Sequence, residues 1–176
     1  MTDLGFRAAR AADVAMLQPF VHAAYRGESA RRGWTHEADL LDGQRIDAEA
    51  LAGIIADPFQ VVVIAEQAGA LAGCVQVSDK GGGLAYLGML SVDPSAQGRG
   101  TGRRLIGAAE QMACSRFGAD RMEMTVLVQR TELIDWYIRC GYRLTGETRP
   151  FPVADPRFGL PRRADLAFTV LARDLQ

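Results

Sequence analysis

The stretch from Leu84 to Ala113 reads LAYLGMLSVDPSAQGRGTGRRLIGAAEQMA and predicts three successive pieces of structure. The apolar run Leu84–Val92 has the length of a buried strand, and Thr101–Phe117 carries its apolar residues at the spacing of one helix face. Asp93–Gly102 lies between them and holds three glycines. Because glycine lets the backbone approach a ligand closely, we expect this turn to bind one.

Arginines alternate with the glycines of this turn, where the helix is expected to begin. A helix N-terminus presents unpaired N–H groups and a partial positive charge, and Arg99, Arg103 and Arg104 add full charges. This combination is typical of a phosphate-binding site. The Walker pattern GxxxxGKS/T does not occur here, and in the dinucleotide pattern GxGxxG the last glycine would fall at Arg103 or Leu105.

The run QGRGTG, residues 97–102, fits a different pattern, Q-x-x-G-x-G, and follows a strand that ends in Val92-Asp93-Pro94. In these residues the chain resembles the GNAT superfamily of N-acyltransferases, whose members bind acetyl-CoA at such a loop. The alternative is an ordinary glycine-rich turn from a strand into a helix. The resemblance implies a set of cofactor-binding residues, the first three through backbone pairing with pantetheine: Leu90, Ser91, Val92, Gln97, Gly98, Arg99, Gly100, Thr101, Gly102 and Arg103.

A second match is the run YIRCGY at Tyr137–Tyr142. Family members carry a tyrosine four residues before a Gly-aromatic pair, and it commonly acts as general acid to the departing CoA thiolate. The resemblance therefore implies that Tyr137 is catalytic, since a phenol can supply a proton in an apolar slot. The alternative is that Tyr137 only packs, with its hydroxyl bonded to backbone. One departure from the family is Arg130, which stands where an asparagine is common.

The resemblance also implies where the cofactor would enter the sheet. In the family, the strands corresponding to Leu84–Val92 and Arg121–Val128 splay apart at a bulge and open a slot. Gly88 is our candidate for the bulge, because glycine is common at such positions. A plain buried strand is the alternative.

The base that removes the ammonium proton of the acceptor is not marked by any motif. Glu37 lies in an acidic group close to Trp34, in the region that often covers the acceptor site of the family. It is our candidate for binding or deprotonating a cationic amine, although a solvated acidic loop is the plainer interpretation. Glu123 is a second candidate, and a chain of ordered water would serve instead.

The connection Arg149–Asp165 reads RPFPVADPRFGLPRRAD and is long for a compact domain. We hypothesise that Phe151, Phe158 and either Arg162 or Arg163 shape the acceptor pocket or a dimer contact; a stiff surface loop is the alternative. If these arginines face the pocket, the acceptor would carry a carboxylate beside its amine, as an amino acid does.

Hydrophobic periodicity predicts the remaining elements, with mixed signals over Gly27–Arg45. Strands are expected at Phe6–Arg10, Phe59–Glu66, Leu71–Ser78, Tyr142–Thr148 and Leu166–Leu175, and helices from Asp13 to about Arg26, from Asp47 to before Pro58, and over Glu132–Cys140. The order indicates a mixed α/β fold: a central, mixed, twisted sheet of about seven strands flanked by about four helices. It is similar to the GNAT fold from Phe6 to Leu175.

Length and composition favour one ordinary globular domain, residues 1–176. The net charge of −1 gives no reason to expect a nucleic-acid or membrane partner, and neither a signal peptide nor a membrane span is apparent. The three cysteines are odd in number and widely spaced, which is typical of free thiols in a reducing cytoplasm. His22 and His36 lack a metal-ligand spacing, so no metal is expected.

Together these observations predict a cytoplasmic, acetyl-CoA-dependent N-acetyltransferase. A neutral primary amine of a small molecule or amino-acid-like acceptor would attack the thioester directly in a ternary complex, and a homodimer is one option for its assembly. A peptide or protein amine is the alternative acceptor. A non-catalytic acyl-CoA-binding sensor on the same fold is the alternative function, and Tyr137 helps to separate the two because a sensor needs no acid there.

Overall fold

A seven-stranded sheet forms the centre of the computed structural model, which describes residues 3–26 and 30–176. Residues 27–29, part of the segment with mixed sequence signals, lie outside the described part. The strands are β1 (Leu4–Ala8), β2 (Leu41–Asp42), β3 (Gln60–Gln67), β4 (Ala70–Gly81), β5 (Leu84–Val92), β6 (Arg121–Leu127), β7 (Arg143–Pro150), β8 (Leu160–Pro161) and β9 (Ala167–Asp174). The α-helices are α1 (Val14–Tyr25), α2 (Ala48–Ala56), α3 (Thr101–Phe117) and α4 (Thr131–Arg139).

The central sheet has the strand order β1-β3-β4-β5-β6-β9-β7. Its neighbouring strands are antiparallel except β5 and β6, which run parallel because α3 connects them as a crossover. The predicted mixed α/β fold, with about seven strands and four helices, is confirmed.

The two faces of the sheet are covered by different helices. Alternate residues of β3 point to opposite faces, so that Val63 packs in the core beneath α3 while Ile64 packs with Leu17 of α1 and Leu51 of α2. This two-sided burial explains why the strand reads as a nearly unbroken apolar run. The two elements on either side of the cofactor turn, β5 and α3, are both packed in the core.

A short ribbon of two strands lies outside this sheet and was not predicted. In it, Leu41 of β2 faces Pro161 of β8, and Asp42 faces Leu160. The ribbon joins the segment before α2 to the loop that follows β7. Segments far apart in the chain are thereby held against each other on one side of the molecule.

The parallel strands β5 and β6 stay paired over three residues only, from Leu84 to Tyr86 on β5. Beyond Tyr86 the two strands separate, as the family resemblance implied. A bulge follows in the pairing of β5 with β4, between Gly88 and Ser91, and its left-handed residue is Met89 with φ of 53°. The bulge thus lies one residue beyond the predicted Gly88, and the far half of β5 is left with an open edge.

The three cysteines are free thiols, and Cys74 and Cys140 are buried. Over residues 3–26 and 30–176, none of the helices combines the length and the apolar composition that crossing a bilayer requires.

Candidate active site

The glycine-rich turn ends in the N-terminus of α3. Gly98 and Gly100 have φ of 79° and 81°, in the left-handed region that other residues rarely adopt, and Gly100 is the N-cap of the helix. Gly102 serves a different purpose, because a Cβ there would lie 3.2 Å from the ring of Trp136. The first N–H groups of α3 are consequently free of side-chain cover and available to an anion.

A cavity of about 670 Å³ opens between this turn, the open edge of β5 and α4. Arg99 is exposed and does not line it. Every other predicted cofactor-binding residue does: Leu90, Ser91, Val92, Gln97, Gly98, Gly100, Thr101, Gly102 and Arg103. The turn and the strand that the sequence singled out therefore share one cleft.

Positive charge dominates this first cavity. Arg32, Arg103, Arg130 and Arg139 line it, and no Asp or Glu among the described residues does so. Together with the N-terminus of α3, these arginines fit a diphosphate, and the open edge of β5 suits the amide groups of a pantetheine arm. The residues present thus fit acetyl-CoA.

One wall of the first cavity comes from a segment that the sequence analysis did not assign to it. Trp34 lies beside Trp136 of α4, with 6.3 Å between the ring centroids. The N–H of Trp34 donates to Gln97 Oε1 at 3.0 Å, and Arg130 Nη2 donates to Thr35 Oγ1 at 3.1 Å. These bonds fasten the segment before β2 to the cofactor turn. A local sequence pattern carries no signal for such a distant contact.

A second cavity of about 450 Å³ meets the first. It is walled mainly by residues from the segment before α2, from β5 and β6, and from the loop after β7. Five residues line both cavities: Tyr25, Leu90, Arg130, Leu133 and Tyr137. The two cavities are therefore neighbours, and these five residues form the junction between them.

Tyr137 lies buried at the junction in α4. Among the residues that the structure describes, none forms a hydrogen bond with its hydroxyl, although the ring packs edge-on against Trp136 and Tyr142. Burial, with a smaller contribution from Tyr25, raises the pKa of the Tyr137 phenol far above its ordinary value. The phenol is thus protonated and is free to donate.

Tyr25 of α1 also lies at the junction, although the sequence predicts for this position only a helix. Its hydroxyl donates to the carbonyl oxygen of Leu90 at 2.6 Å, and burial raises its pKa to about 12. It therefore holds the bulged part of β5 in place at the junction.

Glu37 is buried between two arginines, which are the ion-pair partners of its carboxylate among residues 3–26 and 30–176. Arg26 Nη2 donates to Oε2 and Arg130 Nη1 to Oε1, each at 3.2 Å. Burial alone would raise the pKa of Glu37, but the charges of Arg130, Arg45 and Arg26 outweigh it and leave this pKa below its ordinary value. A carboxylate so stabilised is a poor base, and these surroundings do not favour the role expected for Glu37.

The other acceptor-site candidates divide into two groups. Phe151 and Phe158 line the second cavity, as predicted. Arg162 pairs with Asp42 and Arg163 with Asp165, and neither lines the cavity, so the structure does not support a place for them in this pocket, and a dimer contact stays a hypothesis. Glu123 also lies outside both cavities and pairs with Arg149. The arginines that do line the second cavity are Arg26, Arg45, Arg130 and Arg157.

A helix N-terminus suited to an anion, beside a splayed sheet and next to a second cavity with a buried tyrosine between them, is the arrangement expected of an acetyltransferase. Residues 21–142, more than half of the chain, match the model of the family described as Acetyltransferase (GNAT) family, and the chain belongs to that family. Within residues 3–26 and 30–176, no group of three or more His, Cys, Asp or Glu is placed to hold a metal ion.

Solved structures of this family share the fold. yncA from Salmonella typhimurium, solved with its cofactor acetyl-CoA, is 19% identical, with a TM-score of 0.72 over 99% of this chain and 95% of that one. The spermidine N-acetyltransferase of Vibrio cholerae, solved with CoA and spermine, is 16% identical, with a TM-score of 0.71 over 98% and 95%. A GNAT acetyltransferase from Streptococcus pneumoniae is 15% identical, with a TM-score of 0.68 over 99% and 100%. A search of curated proteins found no match.

Proposed function

We propose that residues 1–176 form one acetyl-CoA-dependent N-acetyltransferase domain that acts on the primary amine of a small molecule. The observation that supports this most is the junction of the two cavities at Tyr137, Tyr25 and Leu90. One cavity has the charge and shape for a CoA diphosphate and pantetheine, and the other has a volume suited to a small acceptor. Direct transfer in a ternary complex follows, because both occupants meet at one place.

The first cavity holds the donor. Backbone N–H groups of Gln97–Gly102 and the start of α3 bind the diphosphate, and Arg103 adds charge. Leu90–Val92 present their open strand edge to the pantetheine amides. Acetyl-CoA, when bound, supplies the acetyl group as an activated thioester. A backbone N–H near Leu90 would stabilise the negative charge that develops on the carbonyl oxygen of a bound thioester.

The reaction requires two proton transfers, one to the thiolate and one from the acceptor. Tyr137, which its raised pKa keeps protonated and whose hydroxyl has no partner among the described residues, donates its phenolic proton to the departing thiolate. The acceptor must lose a proton before it attacks. Arg26, Arg45 and Arg130 disfavour an ammonium ion in the second cavity, because like charges lower its pKa. We assign Glu37 to positioning Arg26 and Arg130, and the proton leaves through water.

A peptide or protein acceptor and a non-catalytic sensor are the two competing functions. The modest volume of the second cavity favours a small molecule over a peptide. The unbonded Tyr137 hydroxyl favours catalysis over sensing, because a sensor needs no proton donor at the thioester. The spermidine N-acetyltransferase of Vibrio cholerae, which was solved with spermine, is in line with a small amine acceptor. The three free thiols support our expectation of a cytoplasmic location.

The test is turnover with a panel of amines. Purified protein is mixed with acetyl-CoA and with small amines, amino acids, polyamines and peptides; thiol release is followed, and the products are identified by mass. We expect acetylation of at least one small primary amine. Tight binding of acetyl-CoA without turnover on any amine would establish the sensor instead. Turnover restricted to peptides would establish the other acceptor class.

A further inference from the structure

We propose that the acceptor carries an anionic group, a carboxylate or another oxyanion, which Arg45 and its neighbouring arginines bind in the second cavity. The inference rests on the proposed function and specifies its substrate. Four arginines line this cavity, namely Arg26, Arg45, Arg130 and Arg157. The acidic side chains that line it are Glu37 and Asp47, as far as the described residues show.

The acidic groups do not neutralise these arginines. Asp47 caps α2, where its carboxylate accepts from the N–H of Ala50 at 2.7 Å. Glu37 is shared by Arg26 and Arg130, and it also feels the charge of Arg45. Four arginines thus stand against Glu37, Asp47 and the Asp155 that pairs with Arg157, which leaves an excess of positive charge at the cavity.

Arg45 is the arginine with the most freedom to bind a ligand. It makes no hydrogen bond or ion pair with another residue of the described ranges, and its guanidinium lies 5.2 Å from the ring centroid of Tyr25. By contrast, Arg157 is already paired with Asp155 through Nη2 at 2.7 Å. A guanidinium that is stacked on an aromatic ring and keeps its donors unused is well prepared for an oxyanion.

Two further donors in the cavity wall are buried without a partner. The Nε atoms of Arg26 and Arg130 are shielded from solvent and have no acceptor among the described residues. Because solvent does not reach these two atoms, a ligand in the cavity does not bond them where they stand. The oxyanion would instead be bound by the guanidinium of Arg45, whose donors have no acceptor among the described residues.

The position of Arg45 also matches the reaction. Tyr25 lies between Arg45 and Leu90 of the junction. One face of its ring packs against Arg45, and its hydroxyl donates to the carbonyl oxygen of Leu90. An oxyanion held by Arg45 leaves the amine of the same small molecule pointing across one tyrosine side chain towards Tyr137. Compact molecules that carry an amine close to an acid group, such as amino acids and aminophosphonates, have this form.

Polyamines are disfavoured on the same grounds. A molecule with several ammonium groups and no anion would add positive charge to a cavity that already holds an excess. The Vibrio cholerae enzyme was solved with spermine, so the shared fold does not set this preference. The side chains that line the second cavity set it.

The experiment compares acceptors that differ in one charge. kcat/KM is measured for amino acids and for their carboxamides, for aminoalkylphosphonates to separate carboxylate from phosphonate recognition, and for spermidine. We expect the acids to exceed their amides by about tenfold or more, as charged hydrogen bonds allow. In Arg45→Gln the ratio of acid to amide should fall towards one. Arg162→Gln removes an arginine outside the cavity and should keep the wild-type ratio.

The outcomes separate this inference from the proposed function. Equal kcat/KM for acids and amides, or a preference for spermidine, overturns the anionic acceptor and leaves N-acetyl transfer standing. An unchanged ratio in Arg45→Gln overturns the role of Arg45. Failure of every amine to react, while acetyl-CoA binds, overturns the proposed function and this inference with it. Melting temperatures of both variants check that the fold is retained.

Discussion

Tyr137 is the residue on which the proposed mechanism depends most. Replacing it with phenylalanine removes the hydroxyl and keeps the ring contacts with Trp136 and Tyr142. We expect Tyr137→Phe to lower kcat on the order of 10²-fold, because the thiolate would depart without its proton donor. The KM for acetyl-CoA should change little. Steady-state kinetics with thiol detection measure both quantities.

The control for this variant is Tyr142→Phe. Tyr142 is also buried, but its hydroxyl bonds Glu110 and the residue lines neither cavity. It should lose stability and keep kcat. The raised pKa of Tyr137 means that its proton is lost only well above pH 10, the ordinary value for tyrosine. A Tyr137-dependent fall in kcat between pH 7 and about pH 9 would therefore contradict the assignment.

The lowered pKa of Glu37 predicts how the free energy of unfolding depends on pH. Because its pKa is lower in the folded chain, its contribution is present above its ordinary pKa of 4.5 and is lost as the pH falls through the folded value. Glu37→Gln leaves two buried guanidinium groups without their carboxylate, which should cost about 3–5 kcal/mol of unfolding free energy at pH 7. Below about pH 4 the difference from the wild type should shrink. Denaturant unfolding at several pH values measures it.

A different result would support the role that the sequence predicted for Glu37, which is to bind or deprotonate the acceptor amine. A base is required for turnover but not for folding. If Glu37→Gln keeps the wild-type unfolding free energy and loses kcat by orders of magnitude, then the carboxylate acts on the acceptor.

At the scale of elements, the start of α3 is the part on which the proposed CoA binding depends most. In Gly100→Ala the left-handed backbone at φ of 81° becomes strained, although no atom lies within 4 Å of the new Cβ. The strain should cost roughly 1–2 kcal/mol and weaken CoA binding about tenfold, because the turn must move away from its N–H geometry. Calorimetric titration with CoA and thermal unfolding measure the two effects.

The same helix contains its own control. Gly107 lies in the interior of α3, is exposed and has no atom within 4 Å of a built Cβ. Gly107→Ala should add roughly 0.5–1 kcal/mol of stability and leave CoA binding unchanged, since alanine favours a helix. Equal CoA affinity in both variants would show that the turn at Gly100 does not hold the diphosphate.

Elements whose signal is local were predictable from the sequence. Apolar periodicity and three glycines at a helix start predict β5, the turn and α3. Most of the residues that line the first cavity in these elements were therefore predicted as well. The two-residue pairing of β2 with β8 was missed, because too few residues take part to leave a pattern. The pairing of Glu37 with Arg130, 93 residues away, was missed because sequence spacing carries no information about such contacts.

At the scale of the whole molecule, charge is distributed unevenly. The chain has a net charge of −1, yet four arginines line the first cavity and four line the second, with Arg130 common to both. Positive charge is therefore concentrated at the two cavities, and the rest of the chain carries a net negative charge. This arrangement suits the two anionic reactants that we propose.

Both tryptophans of the chain, Trp34 and Trp136, line the first cavity. All of the tryptophan emission therefore reports on one cleft, and CoA should change it saturably as the ligand excludes water from the rings. The Gly100→Ala variant should need more CoA to reach the same final signal. If calorimetry shows CoA binding while the emission stays constant, then the cofactor occupies another place.

The β2–β8 ribbon has a consequence for how this enzyme could diversify. The proposed donor site is built from the main sheet and α3, whereas part of the wall of the proposed acceptor site comes from two peripheral segments that β2 and β8 pair through four residues. Grafting that pair of segments from a related enzyme, as one unit, should exchange the range of amines accepted while leaving the thioester half of the reaction intact.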